Sequence, residues 1–241
     1  MKIRYIYHSC FLVETDNSFL LFDYFKNEND KTDFDFVKLL NDIFESPKTL
    51  YIFSSHSHMD HFNYDVLSWI NKKQDTYYIL SSDIKIYNKI DNLYIVREDD
   101  ELTINKIKLN VFGSTDEGVS FMVNIDGCNL FHAGDLNWWK WYDDSPEEEK
   151  AMEDAYKNII DKITKYGAKI DVAFFPVDKR LENNYLCGGE YFIEKLNPKL
   201  FIPMHFWDNY QTTKDFKKAM SAYKTNIVEI NHPNETLYAN I

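Results

Sequence analysis

SSHSHMDHF, residues 54–62, is the stretch that decides the fold. His56, His58, Asp60 and His61 crowd into six consecutive positions, and only seven histidines occur in the whole chain. Just before it, TLYIFSS (49–55) is an apolar run without polar alternation, the pattern of a strand buried on both faces. Imidazole and carboxylate together suit zinc, iron or manganese. Side chains two apart on an extended segment point to one side, so His56 and His58 can face one centre while Asp60 and His61 turn toward a second. A pair of metals there could polarise a substrate and generate hydroxide. The cysteines, Cys10, Cys128 and Cys187, are scattered and form no CxxC, which argues against a thiolate-rich structural site or a disulfide framework.

Outward from this loop, the first half of the chain reads mostly as strand. Apolar runs at 2–6, 10–14 and 18–26 are broken by an Asp16-Asn17 turn, which suggests a hairpin. Phe34, Phe36, Val37, Leu40 and Ile43 fall at helical spacing over 30–45. A helix is expected over 63–71 with Asn63 as its N-cap, then a buried strand at 77–80 and an alternating one within 101–112. Residues 119–125 and 129–132 flank Asp126-Gly127 as a second hairpin.

The second half alternates helix and strand. Ser145, Pro146 and Glu147 to Glu149 announce a helix start, and Ser145 with Glu148 matches a capping box. Met152, Ala155, Tyr156, Ile159, Ile160 and Ile163 give that helix an apolar face, and Gly167 stops it. A buried strand follows at 169–176, a short helix at 188–196, a strand at 199–202 and a helix at 212–223. No repeat, low-complexity tract or linker interrupts the chain, so a single domain over 1–241 is expected.

Composition narrows the function. The 241 residues carry a net charge of −12, from 27 basic and 39 acidic side chains. That sign disfavours a generic grip on nucleic-acid backbone or anionic lipid. No run approaches the ~18 apolar residues of a membrane span, and the N-terminus has no cleavage-site pattern. A cytoplasmic protein acting on a small molecule is expected, with neither nucleic acid nor membrane as partner.

The intact His56-Ser57-His58-Met59-Asp60-His61 pattern resembles the signature of the metallo-beta-lactamase superfamily. FHAGDL (131–136) looks like that family's later Gly-Asp motif, and FIPMHFW (201–207) like its last, a histidine just after a strand. HSCFLVET (8–15) and LLFDYF (20–25) look like its opening hairpin, with Asp23 near the early sheet-end aspartate. The resemblance implies an α+β, four-layer αββα sandwich with the site at one edge. It implies that His56 and His58 serve a first metal and that Asp60, His61, Asp135 and His205 hold a second. Asp135 would bridge the two ions, and Asp60, beside the bridging water, would act with it in the chemistry. The implied activity is that of a metal-dependent hydrolase, with metal-bound hydroxide attacking a small ester, lactone or phosphodiester. Zn2+, as one or two ions, is the implied cofactor, with Mn or Fe as other occupants. The opening His-Ser and the LFHAGD and IPMH segments look most like the compact lactonase and phosphodiesterase-like branch.

One departure stands out. The family places a third histidine on the first metal, between the loop and the Gly-Asp motif, and residues 62–131 contain none. Asp116, in GSTDEGVSF (113–121), is the nearest substitute, with Glu117 beside it. This loss also motivates a different class of function, a non-catalytic metal-binding or sensor protein on the same scaffold. Around the site, His8 and His132 read either as pocket residues touching substrate or as strand-packed histidines. Trp138, Trp139 and Trp141 read either as packing or as an aromatic wall at the substrate entrance. Arg180 reads as an anion partner or a solvated loop residue.

Overall fold

The computed structural model describes residues 1–25 and 36–238. They fall into two compact units, Met1–Val96 with His232–Ile241, and Arg97–Asn231.

The first unit is built on a seven-stranded mixed sheet. It opens with β1 (Lys2–Tyr7), β2 (Cys10–Glu14) and β3 (Ser18–Phe22), paired antiparallel as an up-and-down run. Helix α1 (Phe36–Glu45) is what remains of the helical spacing expected over 30–45; residues 30–35 lie outside the described residues. β4 (Thr49–Ser54), β5 (Thr76–Ser81) and β6 (Leu93–Val96) then add on in parallel to β3. A C-terminal strand, Thr236–Tyr238, pairs with β1 at the other edge. Every residue of β3 and β4 is buried, which is why their sequences lack alternation. The crossover from β4 to β5 carries the histidine loop and a 3-10 helix, Tyr64–Asn71. Asn63 caps that helix as expected, its side chain accepting from the Asp65 amide at 2.8 Å.

The second unit holds another seven-stranded mixed sheet. β7 (Glu101–Ile104), β8 (Ile107–Gly113), β9 (Val119–Ile125) and β10 (Cys128–His132) are antiparallel neighbours. After α2 (Pro146–Tyr166), the chain adds β11 (Val172–Pro176), α3 (Cys187–Leu196), β12 (Leu200–Met204), α4 (Gln211–Ala219) and β13 (Asn226–Ile227). β10 through β13 are parallel. The start of α2 has the expected capping box, and Gly167 ends the helix at φ 78°, a backbone few other residues adopt.

The two sheets share a feature that positions the chemistry. In each, the chain leaves the carboxyl ends of adjacent parallel strands straight into ligand-type residues. Asp23 follows β3, and Ser55 and His56 follow β4. Asp135 lies just past β10, Asp178 just past β11, and His205 directly after β12. Carboxyl edges of parallel strands are where open α/β sheets receive ligands. Among the described residues, no helix is long and apolar enough to cross a membrane.

Candidate metal centre

In the first unit, Asp23 organises the histidine loop. Fully buried at the end of β3, it accepts the Ser55 amide on one carboxylate oxygen at 2.7 Å. The other oxygen accepts the Ser55 hydroxyl and His61 Nδ1, both at 2.7 Å. Ser55 Oγ in turn lies 3.0 Å from His56 Nδ1. This chain puts the Nδ1 protons of His56 and His61 on oxygen acceptors and the lone pairs on Nε2, the tautomer in which a histidine ligates a metal. His56 Nε2 is 3.0 Å from His58 Nδ1, and Asp60 Oδ2 is 4.0 Å from His61 Nε2. Burial raises the Asp60 pKa, but the approach of His8 (Nε2 3.3 Å away) and the positive charge His61 and His8 can carry when no metal is bound outweigh it, so in the metal-free protein the carboxyl sits well below its usual range.

The second unit repeats the device. His205 Nδ1 lies 2.9 Å from Asp178 Oδ2 and its Nε2 lies 3.5 Å from Asp135 Oδ1. Asp178 is also gripped by Arg180, through Nε at 2.8 Å and Nη2 at 2.5 Å. Burial works against the Asp178 charge, but His205 and Arg180 together pull its pKa well down. Asp135 is presented by the Gly134 turn (φ 53°), and the Gly134 amide donates to Nδ1 of the buried His132 at 3.2 Å. His132 therefore shapes the turn from within the sheet, its ring 5.8 Å from that of Phe174.

The donor spacings test the fit to a metal. Two ligand atoms each ~2.0–2.2 Å from one ion stand roughly 2.9–4.3 Å apart. The four separations within the units, 3.0, 3.3, 3.5 and 4.0 Å, all fall in that range. Imidazole and carboxylate donors with oxygen-anchored outer nitrogens fit a divalent ion in chemistry as well as spacing.

The aromatic residues separate into two roles. Trp139 is buried, donates its indole N–H to the Asp135 carbonyl at 2.8 Å, and meets the His205 ring edge-on at 5.4 Å. Trp141 stacks on Trp139, and Trp207 stands 6.4 Å from His205. Trp138 turns the other way, onto Tyr156 and Tyr191, with Lys157 over its ring. Arg180 is committed to Asp178 and lies over Trp141. Asp116 and Glu117 are exposed at the tip of the β8–β9 loop. Thr115 is the residue that ties this loop inward, its hydroxyl bonded to the carbonyl and amide of Asn137. Neither acid belongs to a group of three or more ligand-type side chains among the described residues.

Residues 2–141 match the family described as the beta-lactamase superfamily domain. The chain belongs to the beta-lactamase superfamily. Its two mixed sheets with flanking helices carry the αββα class expected from the sequence. This superfamily member is 35% identical, over 89 residues, to a UPF0173 metal-dependent hydrolase of Methylacidiphilum infernorum (isolate V4). The aligned stretch covers 30% of this chain and 36% of that relative, so the chain matches little more than a third of its length. Among solved structures it is similar to the metallo hydrolase Igni18 of Ignicoccus hospitalis KIN4/I, with TM-score 0.64, 17% identity, and 98% and 97% of the two chains covered. It is also similar to CmlA, a diiron beta-hydroxylase of Streptomyces venezuelae, with TM-score 0.63, 11% identity, and 98% and 53% covered. At these identities the two likenesses establish a shared fold.

Two carboxylates orient the superfamily member's histidines. The sequence marks Asp23 only as a sheet-end aspartate, with no partner, and does not single out Asp178. The signal was present in both: an aspartate leaving a wholly apolar strand, after FLLF and after VAFFPV.

Proposed function

We propose that the protein is a metal-dependent hydrolase of a small ester, lactone or phosphodiester, of the compact lactonase and phosphodiesterase-like kind. The observation that carries this is the pair of carboxylate–histidine clamps, Asp23 on His61 and Asp178 on His205. In this reading His56, His58, Asp60, His61, Asp135 and His205 are the ligands of one or two divalent ions. Zinc is the first candidate, with manganese or iron as alternatives. When bound, such an ion supplies Lewis acidity and acidifies water at neutral pH.

The chain's own residues do the rest. Asp23 and Asp178 hold the imidazoles in their ligating tautomer. Asp60, kept ionised, stands ready to accept a proton or orient water. Asp116, with Glu117 beside it, is the candidate for the place of the absent third histidine; both are exposed at the tip of the β8–β9 loop, and the one that ligates would have to turn inward. Trp139, Trp141 and Trp207 offer apolar faces to the substrate beside His205, and a bound substrate displaces water from them. Arg180 acts through Asp178 and serves the site as a positioning residue.

The test is purification, chelation and reloading with zinc, manganese or ferrous iron, followed by assay on a lactone panel and a phosphodiester panel. Turnover that vanishes on chelation and returns with metal is the expected result. Tight metal binding with no turnover on either panel would instead favour the sensor reading.

A further inference from the structure

We propose that His8 is a metal ligand, sharing an ion with Asp60 and His61. This rests on the metal-centre reading above and adds to it an imidazole that the superfamily pattern does not supply. His8 Nε2 lies 3.3 Å from Asp60 Oδ2, and the ligand atoms of His8, Asp60 and His61 all lie within 4.8 Å of one another. The separation of 3.3 Å matches the edge of a tetrahedron around an ion ~2.0–2.1 Å from each donor. The rings of His8 and His61 stand 5.6 Å apart at 78°. Two imidazoles on one ion bring their ring centres to roughly 4.5–6 Å.

The backbone is bent to put His8 there. It occupies the two-residue turn between β1 and β2, where the strand register shifts between Tyr5 and Tyr7. Its φ is 57°, a left-handed conformation uncommon for residues with a Cβ, in which histidine is among the better tolerated. The Tyr5 hydroxyl accepts the His8 amide at 2.9 Å and fixes the turn. A histidine that only filled the core would need neither the bend nor the approach to a carboxylate. The ring is fully buried, so it faces Asp60 from within the fold and not from solvent.

The ordinary role for such a side chain is a hydrogen bond that steadies Asp60, and the experiment separates the two. The protein is loaded with zinc and crystallised, and anomalous data are collected across the metal edge. His8 Nε2 within ~2.0–2.2 Å of the ion beside Asp60 and His61 is expected. His8 bonded to Asp60 with the ion out of ligand range overturns the proposal. In parallel, His8→Asn and His8→Gly, both compatible with the positive φ, are titrated with Co2+. Loss of a ligand should weaken the Asp60–His61 position more than the ~10–100-fold of an outer-shell change, and should alter the cobalt visible spectrum. Wild-type affinity with an unchanged spectrum in both variants overturns the proposal. If either variant fails to fold, the wild-type map decides alone. A wild-type protein that takes up no metal defeats the metal-centre reading itself, whereas metal held by Asp60 and His61 without His8 defeats only this one.

Discussion

Asp23 accepts three hydrogen bonds from two residues, and Asp178 is shared between His205 and Arg180. A ligand histidine whose outer nitrogen loses its carboxylate can adopt the wrong tautomer. Asp23→Asn and Asp178→Asn should each lower metal affinity by ~10–100-fold, read by competition with a chromophoric chelator, while far-ultraviolet circular dichroism stays unchanged. Asp178 also sets a pH dependence in the metal-free protein. Its folded pKa is depressed, so its contribution to stability is complete above the unfolded value of ~3.9 and disappears as pH falls below it. Melting curves of wild-type and Asp178→Asn proteins should therefore converge as the pH is lowered through that region. The indoles divide by what they touch. Trp139→Ala should raise KM more than it changes metal content, whereas Trp138→Ala, lost from the α2 and α3 contacts, should cost about 3 kcal/mol of stability.

At the level of elements, Gly188 near the start of α3 is the tightest joint. A Cβ there would sit 1.9 Å from Asn137 Oδ1 and 3.0 Å from the Trp138 amide, and its carbonyl accepts the Tyr156 hydroxyl. Gly188→Ala should displace the segment after Asp135 and lower both melting temperature and turnover. Ser145→Ala, at the solvent end of α2, should cost only about 1 kcal/mol and leave turnover intact. The elements most legible in the sequence were those with local chemistry of this kind. The α2 cap, the Asp126-Gly127 hairpin and the wholly apolar strands β4 and β11 are specified by residues a few positions apart. Short edge strands escaped it: β6, β13 and the C-terminal strand span only two to four residues, too few for a period to show. The segment over 63–71 formed a 3-10 helix where a helix of unstated kind was expected. The histidine loop and the residues after β10 and β12 were legible because motif residues are contiguous. Asp178 and the approach of His8 to Asp60 were not, because each is defined by a partner more than 25 residues away.

For the whole molecule, metal binding and folding are linked. A ligand that binds only the folded chain adds about 2.7 kcal/mol at a hundredfold excess over its Kd. Metal loading should accordingly raise the melting temperature in calorimetry. Asp135→Ala, which removes the carboxylate proposed to serve both metal positions, should abolish most of that rise together with metal content and turnover. Normal metal binding in that variant would remove Asp135 from the ligand set.

His8, Asp23 and His205 hold φ values of 57°, 44° and 64°, in a region where a side chain costs about 1–3 kcal/mol. Glycine or asparagine would relax His8, whereas Asp23 and His205 are also held by buried hydrogen bonds that glycine would remove. A library of variants selected for heat resistance alone should therefore drift toward those residues at 8 first and grow more robust as it goes inert. Selection that alternates heating with a demand for turnover should leave all three positions untouched and gather its gains elsewhere.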